Sequence, residues 1–429
     1  MEVREPDARY LTAVQRTELG EFPADWQVVP LDEFDPFITS GSRGWAAYYA
    51  DIGSTFLRIT NLSRSCIYPS LRDLRYVAVP PDNSEGVRTA LRAGDVLISI
   101  TADIGIVGLV TEAVELPAYI NQHIALVRFD ESEVNSRYIA YFLAGAAAQR
   151  RFKSMTDAGA KAGMNLAGVR DVLAALPPST DEQAAIADAL TDADTLIDSL
   201  EQLLAKKRQL KQGAMQELLT GKRRLPGFTG VWSPHLLGEV VAFLKGSGLS
   251  KASLQSDGST PCIHYGQLFT EYGPVINAVL SYTDEDHDGP ISQVGDVLMP
   301  TSDVTPRGLA KASCVLQRGV ALGGDILILR PAESLLHGPF LSYLIRSQPD
   351  RILELVTGST VFHLYGRDMA GYRLGLPSRE EQVAVAQVLS EIDTEIDALE
   401  FRLTKARALK QAMTQALLTG RIRLVEPTA

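Results

Sequence analysis

Two stretches of this chain carry polar segments whose side chains are of the types that read DNA bases. Arginine, lysine, asparagine and glutamine make paired hydrogen bonds that distinguish base pairs in the major groove. The candidates in the first stretch are Ser42, Arg43, Trp45, Tyr48, Arg58, Asn61, Gln122, Lys161 and Asn165. The candidates in the second stretch are Lys245, Ser247, Lys251, His264, Gln267, Ser302, Arg307, His363, Tyr365 and Arg367. The alternative for each single residue is an ordinary turn or surface position, so this prediction rests on residue type and position.

The sequence lacks the motifs of common catalytic and cofactor-binding sites. It has no GxxxxGK[ST] phosphate loop, no Rossmann glycine fingerprint and no GxSxG nucleophile turn. The Asn-Pro-Pro-aromatic tetrapeptide of amino-methyltransferases is also missing. Cys66, Cys262 and Cys314 have no CxxC spacing, and the histidines do not cluster with acidic residues at metal-ligand spacing. We therefore predict a chain that is not an enzyme and holds no metal or cofactor.

The polar segments are carried by two copies of one apolar framework. Matched runs occur in the same order in both copies, and they have the character of short strands and a few helices. They pair Trp26–Leu31 with Trp232–Leu237, Leu57–Ile59 with Ile263–Tyr265, Gly94–Leu97 with Gly295–Leu298, Ile124–Arg128 with Ile326–Arg330, and Tyr138–Tyr141 with Phe340–Tyr343. The loops between these runs diverge strongly, which indicates the same task performed on two different targets.

Each framework is followed by a long predicted helix, and the two helices form the clearest repeat in the chain. The segment 183–225 returns 199 residues later as 382–424, with about half of the positions identical. The start signals are capping boxes and the end signals are glycines just past the helix. They are Ser179-x-x-Glu182 and Ser378-x-x-Glu381 at the starts, and Gly221 and Gly420 at the ends. At ~1.5 Å per residue, each helix is roughly 60 Å long.

Apolar residues in both helices recur at alternating spacings of four and three, which is the pattern of a coiled coil. They are Ile186, Leu190, Ala193, Ile197, Leu200 and Leu204, and then Val385, Leu389, Ile392, Ile396, Leu399 and Leu403. Beyond Leu204 and Leu403, we expect the seam to shift through Leu210 and Leu409. Each helix is acidic in its first half and basic in its second half. Complementarity to the helix dipole alone would favour this arrangement. The apolar seams favour an antiparallel pair within the chain.

These patterns together predict an α+β protein with four segments. Two mixed globular domains, residues 1–176 and 225–376, are each followed by a long helical segment, residues 177–224 and 377–429. No apolar run is long enough to span a membrane and the first residues lack a signal-peptide pattern, so we expect a cytoplasmic protein. The net charge of −11 is unusual for a protein that binds nucleic acid alone, although local basic faces or a basic partner would compensate.

The order of these features resembles the DNA specificity subunit of type I restriction–modification systems. The resemblance is carried by the two modules and two long helices, by the segments 176–183 and 376–382 at the helix starts, and by Leu-Leu-Thr-Gly followed by basic residues at the helix ends. The segment 40–45, with Tyr48, Tyr49 and Arg58, also resembles a recurrent form of the family's target-recognition domain.

The resemblance implies a non-catalytic subunit that recognises double-stranded DNA. Each globular domain would be a target-recognition domain that reads one half of a bipartite site, and the helix pair would set the gap between the halves. Two methyltransferase subunits would dock on the chain, and motor–nuclease subunits would join for restriction. S-adenosylmethionine, ATP and Mg²⁺ would be bound by those partners.

Two other interpretations remain open at this level. The chain could be a coiled-coil adaptor that joins two protein partners without binding DNA, although divergent polar loops suit an adaptor less well. It could also serve a methylation-only system that has no nuclease, since that difference lies in the partners.

Overall fold

The computed structural model describes residues 13–80, 82–157 and 163–424, and its chain divides into two units. The first unit comprises residues 1–200 and 402–429, and the second comprises residues 201–401. Each unit therefore contains one globular domain, the first half of the helix that follows it, and the second half of the other long helix. The sequence-derived boundaries after residues 176, 224 and 376 remain a prediction.

The first unit combines short strands with helices, as the mixed sequence pattern predicts. Its strands are β1 (Val14–Thr17), β2 (Gly20–Pro23), β3 (Gln27–Pro30), β4 (Phe37–Ser40), β5 (Tyr49–Ala50), β6 (Ser54–Leu57), β7 (Arg75–Val77), β8 (Val96–Ser99), β9 (Val107–Leu109), β10 (Ala118–Ile120), β11 (Ile124–Arg128) and β12 (Leu173–Leu176). Its helices are α1 (Ser84–Thr89), α2 (Ser136–Ala144), α3 (Ala146–Asp157), α4 (Leu166–Arg170) and the start of α5 (Thr180–Leu218).

Two four-stranded sheets form the centre of the first unit. One has the order β4-β11-β8-β9 and is antiparallel throughout. The other has the order β10-β6-β7-β5, and its β10 and β6 run parallel. Strands β8 and β11 read as continuous apolar runs because both of their faces are buried. One face packs on α2 and the start of α5, in a core that includes Tyr138, Ile186 and Leu190.

The second unit repeats this arrangement with different loops. Its strands are β13 (Ser233–Leu236), β14 (Val241–Lys245), β15 (Thr260–Ile263), β16 (Val275–Ile276), β17 (Ser281–Thr283), β18 (Asp296–Pro300), β19 (Ser302–Asp303), β20 (Ser313–Val315), β21 (Ala321–Leu322), β22 (Ile326–Pro331), β23 (Phe362–His363) and β24 (Arg373–Leu376). Its helices are α6 (Leu237–Val240), α7 (Gln267–Thr270), α8 (Gly338–Ser347), α9 (Pro349–Leu353), α10 (Gly366–Met369) and the start of α11 (Arg379–Leu417).

The sheets of the second unit follow the strand order of the first. Strands β14-β22-β18-β20 correspond to β4-β11-β8-β9, with β16 added at the edge, and β17-β15-β21 again contains one parallel pair, β15 with β21. A buried ion pair is also repeated: Arg128 binds both carboxylate oxygens of Asp95 at 2.7 Å, and Arg330 binds Asp296 at 2.9 and 2.8 Å. The structure therefore confirms the framework match made from the sequence.

Both long helices end at the predicted glycines. At their starts, only the first of the two hydrogen bonds of the predicted capping box is formed. The hydroxyl of Ser179 accepts from the Glu182 N–H at 3.1 Å, and Ser378 accepts from Glu381 at 3.3 Å. Neither glutamate closes the box with its own side chain, because an arginine binds each carboxylate instead. Gly221 and Gly420 follow the helices with φ of 70° and 66°, as expected for a glycine past a helix end. Among the described residues, no helix combines the length and apolar character that a membrane span requires.

In both units, the arginine that binds the glutamate comes from the segment just after the end of the other long helix. In the first unit, Arg423, just past α11, binds Glu182 at the start of α5 and also binds Asp25 at 2.9 Å. In the second unit, Arg224, just past α5, binds Glu381 at the start of α11. The start of one helix therefore lies beside the end of the other, which confirms the predicted antiparallel pairing.

The heptad pattern continues without the shift that the sequence suggested. Leu210 and Leu409 are exposed, so the predicted seam through them is wrong. Seven residues beyond Leu204 and Leu403, the inward positions are taken by Lys211 and Lys410, and the buried Leu218 and Leu417 follow after seven more. The change along the seam is chemical rather than geometric, because a lysine occupies a position where a leucine is expected. A single polar residue at such a position is a known determinant of coiled-coil register.

Each inward lysine belongs to a polar cluster that ties the helix pair to the globular domain. Lys410 pairs with Asp194, whose other oxygen accepts from the Tyr141 hydroxyl at 2.8 Å. Lys211 pairs with Asp393, which accepts from the Tyr343 hydroxyl at 2.8 Å. Burial raises the pKa of both tyrosines, so they remain hydroxyl donors. Charge pairs of the predicted kind also join α5 to α11 in the second unit, between Lys207 and Glu395 and between Arg208 and Glu400.

Candidate nucleic-acid interface

In the first unit, several loops meet at one end of the two sheets. We call this end the first edge; it comprises residues 40–45, 58–61, 100–103, 121–123 and 163–165. Backbone hydrogen bonds tie its loops together: Gly41 N–H to Ile124 O at 3.4 Å, Asn121 N–H to Leu57 O at 3.3 Å, Ile100 N–H to His123 O at 2.9 Å, and Met164 N–H to Ile100 O at 2.8 Å. Residues far apart in the sequence therefore form one surface.

Two local features bring these loops together. Strands β6 and β10 run parallel, so the residues after them, Arg58 and Asn121, emerge on the same side of the sheet. The loop after β4 crosses the chain at 120–121 so closely that a methyl group on Gly41 would overlap the Ile120 carbonyl oxygen. Glycine is the residue that permits such a close backbone approach.

Six of the nine residues predicted in the first stretch lie on or beside this edge with side chains that are at least partly exposed. Arg43 and Asn165 are exposed, while Ser42, Tyr48, Arg58 and Gln122 are partly buried. Several of them also support local structure. Ser42 accepts from the Gly44 N–H at 3.2 Å, Asn165 caps α4 by accepting from the Gly168 N–H at 2.7 Å, and the Tyr48 hydroxyl accepts from Asn83 at 3.3 Å.

The other three predicted residues of this stretch are placed differently. Trp45 is buried and packs its ring against Tyr119, with centroids 5.0 Å apart, and against Phe56. Asn61 is buried in a turn, where both ends of its amide are hydrogen-bonded. Lys161 lies outside the described residues. A direct DNA contact by any of the three stays a prediction.

The second unit has an equivalent edge, built from residues 246–251, 264–267, 301–303, 322–325 and 362–367, which we call the second edge. The same kind of backbone ladder holds it: Ser247 N–H to Leu322 O at 3.1 Å, Gly324 N–H to Gly248 O at 2.8 Å, Gly323 N–H to Ile263 O at 3.0 Å, Thr301 N–H to Asp325 O at 2.9 Å, and Leu364 N–H to Thr301 O at 3.0 Å. Gly246 corresponds to Gly41, since a methyl group there would overlap the Gly323 carbonyl oxygen.

His264 is the best-defined hydrogen-bonding group of the second edge. Burial lowers its pKa, the Lys251 ammonium lowers it further, and Asp325 opposes these effects. The ring is therefore neutral at neutral pH. Its Nδ1 accepts from the Gly266 N–H at 3.1 Å, which leaves the proton on Nε2. His264 thus presents one N–H donor whose tautomer is set by the protein.

The remaining predicted residues of the second stretch fall into three groups. Lys245 is exposed at the end of β14, and Ser247 and Lys251 are exposed in the segment that follows it. Ser302 is partly exposed at the start of β19. His363, Tyr365 and Arg367 form a stack, with 6.0 Å between the two ring centroids and 5.0 Å from the guanidinium carbon to the tyrosine ring. Gln267 is buried in the turn after His264, and Arg307 is paired with Asp350 at 2.9 Å.

Sequence reasoning missed three polar residues at these edges. Thr101 and His123 are hydrogen-bonded to each other at the first edge, and the charge of Asp325 acts on His264 at the second. His123 and Asp325 occupy matching places, because each carbonyl accepts from the loop after β8 or β18. The usable signal was position: both residues directly precede the matched strands β11 and β22.

Across 13–80, 82–157 and 163–424, no three or more His, Cys, Asp or Glu side chains are arranged to hold a metal ion. Cys66, Cys262 and Cys314 are free thiols. Burial raises the pKa of Cys262 to about 11, so this thiol is protonated at neutral pH.

Known proteins that are named as type I specificity subunits are similar to this chain. The family model described as the type I restriction modification DNA specificity domain matches residues 88–211. A protein of Methanocaldococcus jannaschii, provisionally named type I restriction enzyme MjaX specificity subunit, is 25% identical over 430 residues, covering 96% of each chain. The type I restriction enzyme MjaVIII specificity subunit of the same organism is 23% identical over 216 residues, 49% of each chain.

The fold is also that of a solved specificity subunit. The crystal structure of the type I restriction–modification system S subunit from M. genitalium matches with a TM-score of 0.61 at 13% identity, covering 91% of this chain and 96% of that chain. The resemblance to type I specificity subunits is thereby confirmed. The relatives that match this chain are named specificity subunits, in keeping with the non-catalytic role expected from the sequence.

Proposed function

We propose that this chain is the DNA-specificity subunit of a type I restriction–modification complex and that it reads a bipartite site in double-stranded DNA. The first edge would read one half of the site and the second edge the other. In this proposal the paired helices set the number of unread base pairs. They also dock two methyltransferase subunits in the cytoplasm, with motor–nuclease subunits joining them. S-adenosylmethionine, ATP and Mg²⁺ belong to those partners.

One observation carries this proposal: the two edges have the same construction and different chemistry. The first edge presents Arg43, Arg58 and Gln122, whereas the second presents Lys251, His264 and the stack of His363 with Tyr365. An adaptor that held two copies of one partner would have no use for this divergence. A reader of an asymmetric site requires it, because each half-site offers a different pattern of donors and acceptors.

The net charge of −11 is compatible with this role when the partners contribute to DNA binding. Phosphate contacts supply much of the affinity of any DNA-binding protein and make it depend on salt. We therefore expect the assembled complex to bind duplex DNA with a steep salt dependence. The adaptor alternative predicts assembly with the methyltransferase and no salt-dependent DNA binding.

A methylome tests the proposal directly. The chain would be expressed with its neighbouring methyltransferase in a host without DNA methylation, and modified adenines would be mapped. We expect a split motif with a fixed gap that disappears when this chain is omitted. An assembled and competent complex that produces no methylated motif would overturn the proposal. A motif obtained without any nuclease gene in the locus would indicate the methylation-only alternative.

The role assigned to the helices has a separate test. A heptad inserted at matched positions of α5 and α11 keeps the seam in phase and adds about 10 Å to each helix, or roughly three base pairs of DNA. We expect the methylated motif to keep its two halves and to lengthen its gap by about that amount. An unchanged gap, with methylation retained, would remove the helices from the proposal.

A further inference from the structure

A buried amide side chain braces the same turn in both units. After β6, the Asn61 Oδ1 accepts from the Arg58 backbone N–H at 3.0 Å. After β15, the Gln267 Oε1 accepts from the His264 backbone N–H at 2.9 Å. The spacing of three residues is the same, and the side chains are almost fully buried, with 3% and 5% of their surface exposed. These two residues are therefore structural equivalents, although their sequence contexts differ.

The other end of each amide is anchored on a neighbouring segment. The Asn61 Nδ2 donates to the Ser70 carbonyl oxygen at 3.0 Å. The Gln267 Nε2 donates to the Ser281 hydroxyl at 2.7 Å and to the Glu271 carboxylate at 2.8 Å. Both ends of each amide are hydrogen-bonded inside the protein and the side chains are almost fully buried, so neither amide is presented to a base. Each side chain instead joins the turn to the chain beside it.

The residue that begins each turn lies at the edge of its unit. Arg58 and His264 each follow a strand that has a parallel neighbour, so each lies beside the loop that follows that neighbour. The Arg58 Nη2 donates to the Asp73 carbonyl oxygen at 2.9 Å, and the His264 Nδ1 accepts from the Gly266 N–H. Both side chains are thus anchored at one atom and keep N–H donors elsewhere on the guanidinium or ring.

We propose that Asn61 and Gln267 are positioning residues, each of which holds one DNA-reading donor in place: Arg58 for the first half-site and His264 for the second. The ligand of each donor is an acceptor atom on a base edge in the major groove, such as guanine O6 or N7, adenine N7 or thymine O4. This inference rests on the proposed function, and it assigns Asn61 and Gln267 a supporting role as an alternative to the direct reading predicted from the sequence.

The physical reason lies in the accuracy that base reading demands. A recognition group has to be held within about 0.5 Å of its productive position by packing and by hydrogen bonds from the residues behind it. The braced N–H belongs to the same residue as the reading side chain, so release of the brace moves the Cα that carries the donor. The remaining loops of each edge are held by backbone ladders and do not depend on this amide.

The test is a double-mutant cycle on DNA recognition by the assembled complex with its methyltransferase subunits. Dissociation constants would be measured for the duplex that carries the methylated motif and for duplexes with each base pair of the motif changed in turn. The variants are Arg58→Ala, Asn61→Ala and the double variant, with His264→Ala, Gln267→Ala and their double variant as the matched set.

We expect Arg58→Ala to reduce discrimination at one position of one half-site by about tenfold, the order expected for one good base contact. Asn61→Ala reduces discrimination at the same position, and the double variant is no worse than Arg58→Ala alone, because the brace acts through the arginine. The His264 set shows the same non-additivity in the other half-site. A purely structural role for Asn61 would instead lower affinity at every position and add to the effect of Arg58→Ala.

Folding and function are separated within the same experiment. Asn61→Ala leaves the second half-site as an internal standard, so unchanged discrimination there shows that the complex is intact. If Asn61→Ala fails to fold, the Gln267 set decides the inference, and Arg58→Ala or His264→Ala with no effect at any single position overturns it. Absence of a methylated motif with the unmodified chain would instead overturn the proposed function, so the two failures are distinct.

Discussion

The two units differ least in their buried polar contacts and most in the loops at their edges. The ion pairs Arg128–Asp95 and Arg330–Asp296 have the same residue types and similar distances in both units. The tyrosine–aspartate–lysine clusters are repeated in the same way. By contrast, the loop after β10 carries Gln122 and His123, whereas the loop after β21 carries two glycines and Asp325. Buried charges tolerate few replacements because an unpaired partner is costly, while exposed loop residues are replaced at little cost. Each unit thus keeps its framework while the loops at its edge differ.

The sharpest way to break this equivalence is to remove the arginine that binds the first glutamate of each long helix. Arg423 has only 3% of its side chain exposed, whereas Arg224 has 24%. We expect Arg423→Leu to destabilise the first unit by about 3–5 kcal/mol, the cost of leaving a buried carboxylate without its partner. Arg224→Leu should cost the second unit less, since water reaches that site. Urea unfolding followed by peptide-resolved hydrogen exchange would report each unit separately.

The control for this prediction removes both partners. Replacing Glu182 and Arg423 together by leucine should recover most of the lost stability, because a buried ion pair replaced by apolar residues is often neutral. Equal losses from Arg423→Leu and Arg224→Leu would contradict the difference in burial that underlies the prediction.

The glycines that allow the loops to cross give a second comparison, on the edges themselves. Gly41→Ala and Gly246→Ala each place a methyl group against a backbone carbonyl oxygen, which cannot move as a flexible side chain would. We expect a loss of about 1–3 kcal/mol in each unit, typical of overpacking, together with weaker binding of the corresponding half-site. Gly44→Ala is the matched control, because a methyl group there meets nothing closer than 3.7 Å. Loss of both half-sites from one substitution would contradict the independence of the edges.

The framework was predictable from the sequence because burial leaves a periodic signal. Matched apolar runs identified β6 with β15, β8 with β18 and β11 with β22, and serine and glycine marked the ends of the long helices. The heptad prediction failed at Lys211 and Lys410 because apolarity was taken as the mark of an inward position. A lysine also takes an inward, partly buried position when an aspartate pairs with it, and those aspartates are distant in the sequence.

The candidate site was less accessible to sequence reasoning, and the reason is visible in particular residues. Side-chain type alone ranked Asn61 and Gln267 with Arg58 and His264, yet the first two face inward and hold the turn. Trp45 was grouped with the readers because it lies in a polar run, but its ring packs on Tyr119. Whether a polar side chain points out or in depends on hydrogen-bond partners such as Ser70 and Ser281, which no local pattern reveals.

The polar clusters on the helix seams allow a smaller and more conservative test. Tyr141→Phe and Tyr343→Phe remove one hydroxyl from Asp194 or Asp393 while the lysine partner remains, so we expect each unit to lose about 1 kcal/mol. The Tyr141 hydroxyl also lies 3.3 Å from that of Tyr68, so Tyr141→Phe should cost slightly more. Tyr68→Phe is the control, and unfolding by hydrogen exchange measures all three. Losses above 3 kcal/mol would mean that the hydroxyls carry more than a single hydrogen bond.

A further expected difference between the units concerns pH and a single pair of equivalent residues. The Asn135 N–H donates to Gln183 at 2.9 Å, and the His337 N–H donates to Gln382 at 2.8 Å. Burial lowers the pKa of His337 to about 4, with the Arg379 charge acting in the same direction. An unfolded histidine has a pKa near 6.5, so between about pH 6.5 and 4 the unfolded chain binds a proton that the folded unit does not. The second unit should therefore lose stability as the pH falls through this window, whereas Asn135 contributes no such loss to the first.

His337→Asn turns this difference into a direct comparison. The variant places in the second unit the residue that the first unit has, and Asn135 caps α2 by accepting from the Tyr138 N–H at 2.9 Å, whereas the His337 side chain makes no such bond at α8. We expect His337→Asn to flatten the pH dependence of the second unit between pH 7.5 and 5.5, a range above the titration of most carboxylates. It should also raise the stability of that unit by about 0.5–1 kcal/mol through the new cap. Part of the slope should persist, because burial also lowers the pKa of His264. An unchanged slope in His337→Asn would show that folding does not lower the pKa of His337. It would also remove this histidine as a source of the difference between the units.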